Sequence, residues 1–342
     1  MTILLIGSET NWALEPVYIK YIHKSHAIEL LNARGRFYNY YYKNFGNKLL
    51  FKLGLSKILK EINHDIIEKI EKQHFDLVWV WKGMELFPNT LLKIKRKGIK
   101  VVNYNPDNPF IFSGTGSGNK HVRQSIPLYD YHFTYDREVK DRLQKEYSAP
   151  CDILPFGFDI SDELYNECIK EAEIMRLCFL GNPDKQRAAL LTQILEQGIP
   201  IDVYGRNWEK FITHPHLTIN QAVYGVEFWK ILRKYRIQLN IMRPHNENSH
   251  NMRSFEIPGV GGIMLAPQTP DHEQYFVDRS EVWLYRDVEE CVVQIKYLLT
   301  LSADEANKIR AAARQRSLES GYNYEARSAC VIKTFERLLS EG

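Results

Sequence analysis

The sequence predicts an α/β protein built from two consecutive doubly wound domains, each a parallel sheet with helices on both faces. Three observations lead there. Strand-like apolar runs alternate with helical stretches along the whole chain. The pattern pauses at a polar stretch, Asp159–Glu173, and then restarts. The 342 residues also exceed what one ordinary hydrophobic core holds. The expected division is a first domain over 1–157, a linker over 158–174, a second domain over 175–323 and a closing helix over 324–342. That helix is expected to pack back on the first domain, and the two sheets are expected to face each other across a central cleft.

The elements follow in order. Ile3–Gly7 is a short apolar run ending in glycine, as a buried parallel strand does. A helix is expected over about 12–24. From Leu55 to Ile70 the apolar residues keep a 3.6-residue rhythm, which marks an amphipathic helix. Strands are expected at Asp76–Trp81, Lys100–Tyr104, Tyr131–Tyr135 and Asp152–Pro155, with a helix near Pro88–Lys97. In the second half, strands are expected at Arg176–Gly181, Ile201–Tyr204, Ile237–Met242, Gly262–Ala266 and Val282–Tyr285. Helices are expected over Arg187–Glu196, Val226–Tyr235 and Arg253–Gly259. Ser302 with Glu305 forms a capping box ahead of a helix over 303–316. Val331, Phe335, Leu338 and Leu339 share one face of the last helix.

Composition excludes several classes. No run of about 18 apolar residues occurs, so no transmembrane helix is expected. The N-terminus shows neither a basic n-region nor a small-residue cleavage site, and the five scattered cysteines form no CxxC pair or zinc spacing. A cytoplasmic address is expected. The net charge of +3 gives no reason to expect nucleic acid as a partner. Its distribution says more: Arg34–Lys60 holds seven basic residues and no acidic one, interleaved with aromatic rings. Such a stretch suits a membrane interface at the inner face or a phosphate-bearing acceptor, and equally a solvated helix beside a tyrosine-rich core.

In open α/β sheets ligands lie beyond the carboxyl ends of the strands, at the switch in strand order. Gly181-Asn182-Pro183-Asp184-Lys185-Gln186-Arg187 opens a helix directly after a strand. Glycine lets the backbone approach a ligand, the helix N-terminus offers N–H groups to a phosphate, and Arg187 can fork onto a diphosphate. An ordinary βα turn with a surface arginine is the plainer alternative. Later comes Asn251-Met252-Arg253-Ser254-Phe255-Glu256-Ile257-Pro258-Gly259-Val260-Gly261-Gly262. A carboxylate at the start of a short helix can accept from the vicinal hydroxyls of a ribose, with Gly261 and Gly262 clearing the approach. Alternatively, Glu256 caps its own helix or pairs with Arg253. His245 and His250 precede that helix and are candidates for contact with phosphate or sugar. Their irregular spacing does not describe a metal site.

These motifs resemble the CgeB-like (spore-maturation-protein) glycosyltransferases and, more loosely, the large retaining GT-B group. The matching text is Phe179–Arg187, Val203–Trp208, Ile237–Arg243, Arg253–Leu265 and Glu281–Glu290, closed by Gly321–Arg327. Trp79–Gly83 and Asn103–Pro109 match in the first half, with Asp107-Asn108-Pro109 where relatives show Asp-Asp-Pro. The resemblance implies a GT-B fold and a nucleoside-diphosphate sugar as donor, with no further cofactor. It implies that Glu256 binds the donor ribose and that Arg253 and Arg187 face the diphosphate. Gly181, Asn182, Gly205, Arg206, Asn240, Gly261 and Gly262 would complete the donor site. Asn248 stands where the larger group often has a second glutamate, which leaves the anomeric outcome open.

No DxD triplet occurs, so metal-independent transfer to an acceptor hydroxyl is expected. Asp107 is the candidate base, or else an Asp fixing the turn between Pro106 and Pro109. Ser8, Glu9 and Trp12 are expected on the acceptor side, where saccharide, lipid-linked and protein acceptors all remain open. A non-catalytic nucleotide-sugar-binding scaffold and a nucleotide-sugar epimerase are the alternative functions. A two-lobed solute-binding receptor would need an export signal.

Overall fold

The computed structural model describes residues 1–10, 13–111, 119–243 and 247–341. The chain divides into two compact units, Met1–Pro155 with Tyr324–Gly342, and Phe156–Asn323.

The first unit runs β1 (Thr2–Ile6), α1 (Glu15–Ile22), β2 (Ala27–Leu31), α2 (Ala33–Tyr41), α3 (Phe45–Lys52), α4 (Ile58–Lys72) and β3 (Leu77–Trp81). It continues with α5 (Pro88–Arg96), β4 (Lys100–Asn105), α6 (Lys120–Ser125), β5 (Tyr131–Thr134), α7 (Arg137–Tyr147) and β6 (Cys151–Ile153). Its strands form one parallel sheet in the order β2-β1-β3-β4-β5-β6. Alternate residues of a strand point to opposite faces, and β1 shows it. Leu4 and Ile6 join Ile62, Ile66 and Val80 on one face, whereas Ile3 and Leu5 join Tyr18, Trp79 and Phe335 on the other.

The second unit runs α8 (Asp162–Cys168), β7 (Ile174–Leu180), α9 (Lys185–Glu196), β8 (Ile201–Tyr204), β9 (Leu217–Asn220), α10 (Gly225–Lys234) and β10 (Tyr235–Leu239). It continues with α11 (Arg253–Gly259), β11 (Met264–Pro267), α12 (Pro270–Tyr275), β12 (Trp283–Tyr285), α13 (Val288–Thr300) and α14 (Ala303–Glu319). Its parallel sheet has the order β12-β11-β10-β7-β8-β9. The chain builds outward from β7 to β9, then returns to β10 and builds the other way. The switch point therefore lies between β7 and β10. In the first unit it lies between β1 and β3.

Two of the expected elements take a different form, and the structure adds elements such as β2 and β9 that were not expected. The stretch 159–173 is not a free linker. Its helix α8 packs on α10, Cys168 is buried, and Lys230 pairs with Glu171 at 3.0 Å. The strand expected to extend to Met242 ends at Leu239, because the chain beyond it turns into the switch-point loop. The last helix, α15 (Tyr324–Ser340), lies against α1 within the first unit. Phe335 sits edge-on to Trp79 at 5.4 Å, and Tyr324 meets Tyr18 at the same distance.

Candidate functional site

At the switch point of the second unit, the loops after β7 and β8 are laced together. Trp208 Nε1 donates to the Gly181 carbonyl at 2.9 Å, and the Arg206 amide donates to Asn182 Oδ1 at 3.0 Å. A Cβ on Gly205 would fall 2.3 Å from that Gly181 carbonyl, so only glycine allows the two loops to meet. They wall a cavity of about 150 Å³, lined by Gly181, Asn182, Tyr204, Gly205, Tyr224 and Arg253 among others.

Arg187 is not a surface fork. It is buried, donating to the Asn182 carbonyl at 3.1 Å and to the Ile241 carbonyl at 2.9 Å. Burial, together with the nearby charges of Arg243 and Arg253, pushes its guanidinium down to about 10, although Asp184 opposes this. The N-terminus of α9 is likewise already served, since the Asp184 side chain caps it by accepting from the Arg187 amide. Arg243, exposed just past β10, carries charge at the same switch point. It closes the motif Ile237–Arg243, whose spacing alone assigns it no role.

Arg253 begins α11, stacks its guanidinium 4.4 Å over Phe228 and donates to the Glu256 carboxylate. Glu256 is buried, and burial raises its carboxyl above the ordinary range against the pull of Arg253. Of the two arrangements left open for Glu256, pairing with Arg253 is present, but inside the fold rather than on its surface.

Several predicted contacts turn inward. The Cβ that Gly262 lacks would lie 2.7 Å from the Leu232 carbonyl, and that of Gly261 3.3 Å from the Arg310 carbonyl. Both glycines thus serve close packing against α10 and α14, not clearance for a ligand, and Gly261 also needs its φ of +71°. His250 is fully buried, with Nδ1 2.6 Å from Asp271 Oδ2 and Nε2 accepting from the Phe156 amide at 3.4 Å. Asn240 donates to Ser254 Oγ at 3.1 Å and accepts from Asn251 Nδ2 at 2.7 Å. Ser254 Oγ lies 2.8 Å from His272 Nε2, and His272 Nδ1 donates to the Pro267 carbonyl at 2.7 Å. This buried network orients the segment carrying Arg253 and Glu256, a positioning role that motif spacing does not disclose. His245 and Trp12 lie outside the described residues.

The first unit gathers its polar groups at its own switch point. Lys82, at a φ of +58° just past β3, holds the Asp107 carboxylate in an ion pair. Ser8 is buried, and its amide donates to Glu15 Oε1 at 2.8 Å. Glu9 accepts from the Asn32 side chain. Glu15 escaped the sequence reading because an acidic residue in a first helical turn is unremarkable. Here burial pushes its carboxyl up to about 7, against the Ser8 amide and the charges of Lys82 and Arg34. Among the described residues, the cluster able to hold a metal is His64, Asp65 and Glu68 on the outer side of α4.

Residues 186–333 match a family described as Glycosyl transferase-like. No curated protein matches the chain by sequence. Solved structures match over nearly its full length. Sucrose-phosphate synthase from Thermosynechococcus elongatus superposes with a TM-score of 0.71 at 9% identity, covering all of both chains. The E. coli structure titled trehalose-6-phosphate bound with UDP-2-fluoro glucose gives 0.62 at 12%, covering 98% of this chain and 99% of that one. A putative UDP-N-acetylglucosamine 2-epimerase from Listeria monocytogenes gives 0.59 at 12%, covering 99% and 97%. The fold is GT-B, the fold of these solved structures, and the match to the Glycosyl transferase-like family covers most of the second unit.

Proposed function

We propose that the protein moves a glycosyl group from a nucleoside-diphosphate sugar to an acceptor hydroxyl, with the second unit holding the donor. Within the glycosyltransferases we place it with the CgeB-like enzymes that its sequence resembles. The observation that carries the reading is the convergence of Arg187, Arg243 and Arg253 at the switch point, beside a glycine-walled cavity. Arginines gathered at one switch point offer a diphosphate charge-assisted hydrogen bonds beyond those they make to Asp184 and Glu256.

Arg243 and Arg253 take the diphosphate oxygens, while Arg187 braces the loops that present them. Glu256 accepts from ribose hydroxyls. As the bond from the sugar to the leaving diphosphate breaks, negative charge grows on the phosphate, and these arginines stabilise it without a metal ion. In the first unit, Asp107 held by Lys82 is the base candidate for the acceptor hydroxyl, and Glu15 is a second carboxyl poised near neutrality. The acceptor is a saccharide, a lipid-linked sugar or a protein met in the cytoplasm.

The test is nucleoside diphosphate release from UDP-, GDP- and dTDP-sugars in EDTA, with thermal shifts for the free nucleotides. One nucleotide should raise the melting temperature, and its sugar should be consumed. Conversion of the sugar without nucleotide release would identify an epimerase. Binding without turnover under any acceptor would identify a scaffold. Turnover abolished by EDTA would overturn the metal-independent mechanism.

A further inference from the structure

Helix α3 is amphipathic with its apolar side turned outward. None of its residues is buried. Phe45, Leu49 and Leu53 are spaced four apart, so they stack along one face. Phe45 is 79% exposed and Leu53 61%, and the face extends through Leu50 to Leu55, 66% exposed. Phe51 alone turns inward, meeting Phe37 at 4.9 Å and Tyr41 at 5.6 Å, which anchors the helix to α2. Single exposed apolar residues are ordinary, but a contiguous patch of this kind marks an interaction surface.

The charge around the patch identifies the partner. The stretch from Arg34 to Lys60 contains no acidic residue. Its two arginines are already neutralised, Arg34 by Glu85 and Arg36 by Asp65. Lys43, Lys48, Lys52 and Lys57 remain around the patch, and Lys48 lies over the Tyr42 ring at 5.1 Å. Lysines with long apolar stems flanking Phe and Leu match a layer that is apolar within and anionic at its surface. A second copy of the chain fits poorly, since self-complementary pairing would oppose lysine to lysine.

We infer that α3, with the turn that follows it, docks the protein on an anionic lipid bilayer, burying Phe45, Leu49 and Leu53 among the headgroups. This surface stands independently of the proposed donor site.

Flotation of the full chain with vesicles tests it. Phosphatidylcholine vesicles containing phosphatidylglycerol should bind at least about tenfold more protein than phosphatidylcholine alone, and raising NaCl from about 0.1 M to about 0.5 M should cut that binding several-fold. The triple variant Phe45→Ser, Leu49→Ser, Leu53→Ser should lose binding at low salt. Lys43→Glu, Lys48→Glu, Lys52→Glu should lose the preference for anionic lipid. Both variants should keep the wild-type melting temperature, because the changed side chains are exposed or half-exposed. Equal binding to neutral and anionic vesicles, or undiminished binding by the serine variant, would overturn the inference. So would a wild-type dimer that the serine variant abolishes while vesicles are ignored, which would assign the face to a second copy.

Discussion

The Arg187 guanidinium donates to the Ile241 carbonyl at 2.9 Å, bridging 54 residues to tie the start of α9 to the segment just past β10. One side chain thus closes the switch point from within. Arg187→Ala leaves the Ile241 and Asn182 carbonyls without this donor and empties a buried volume. It should cost about 1–3 kcal/mol, read as a lower melting temperature of the ligand-free protein. Arg243→Ala, at an exposed position, should leave that temperature alone and weaken nucleoside diphosphate binding instead. Equal effects of the two variants on stability would refute this division of labour.

Gly205 offers a steric test. A methyl group there meets the Gly181 carbonyl at 2.3 Å and Trp208 Nε1 at 2.8 Å, so Gly205→Ala must push the two loops apart. Overpacking of this kind costs about 1–3 kcal/mol. It also disturbs the wall of the cavity, so nucleotide affinity should fall together with stability. Nucleotide affinity unchanged by calorimetry would place the ligand elsewhere.

The pH dependence of stability follows from three buried groups. Burial lowers His132 in the first unit and His272 in the second to about 4. Between about 4 and 6.5 the unfolded chain binds these protons and the native chain does not. Each histidine therefore withdraws up to about 3 kcal/mol of stability as pH falls through that window. Glu15 runs the other way: with its carboxyl near 7, the native state holds a proton from about 4.5 to 7 that the unfolded state releases. Its contribution is full below about 4.5 and is lost as pH rises past 7. The protein should lose melting temperature from pH 7 to pH 5, and Glu15→Gln should steepen that loss. At pH 8 Glu15→Gln should melt no lower than wild type, and a lower value there would show that the ionised carboxylate stabilises the fold.

The sequence disclosed what depends on local pattern. Ile3–Ile6 and Leu77–Trp81 are apolar throughout because parallel strands are covered on both faces, and they read easily. The edge strands β2 and β9 escaped, since half-exposed strands such as Ala27–Leu31 and Leu217–Asn220 mix polar and apolar residues. The glycines of the site were legible as positions but not as roles. The neighbour that forbids a side chain on Gly262 is the Leu232 carbonyl, 30 residues away, and no spacing rule contains it. His250 stood out as a candidate ligand for the same reason, because its partner Asp271 lies 21 residues on, in α12.

Glu256 offers the most discriminating test of the donor site. In the structure its buried carboxylate is bonded to Arg253, so a mere loss of affinity in Glu256→Gln is ambiguous. The change removes a ribose contact, but it also releases a guanidinium. Comparing ligands separates the two. Charge-assisted hydrogen bonds to two ribose hydroxyls are worth roughly 1.5–3 kcal/mol each before desolvation, so wild type should prefer the ribonucleoside diphosphate over its 2′,3′-dideoxy analogue by about tenfold or more. Glu256→Gln should bind both ligands alike, at about the affinity wild type shows for the analogue. Arg253→Ala should weaken diphosphates more than bare nucleosides while keeping the preference for ribose hydroxyls. If Glu256→Gln still discriminates between the two ligands, Glu256 serves only to hold Arg253, and the ribose is read by another residue.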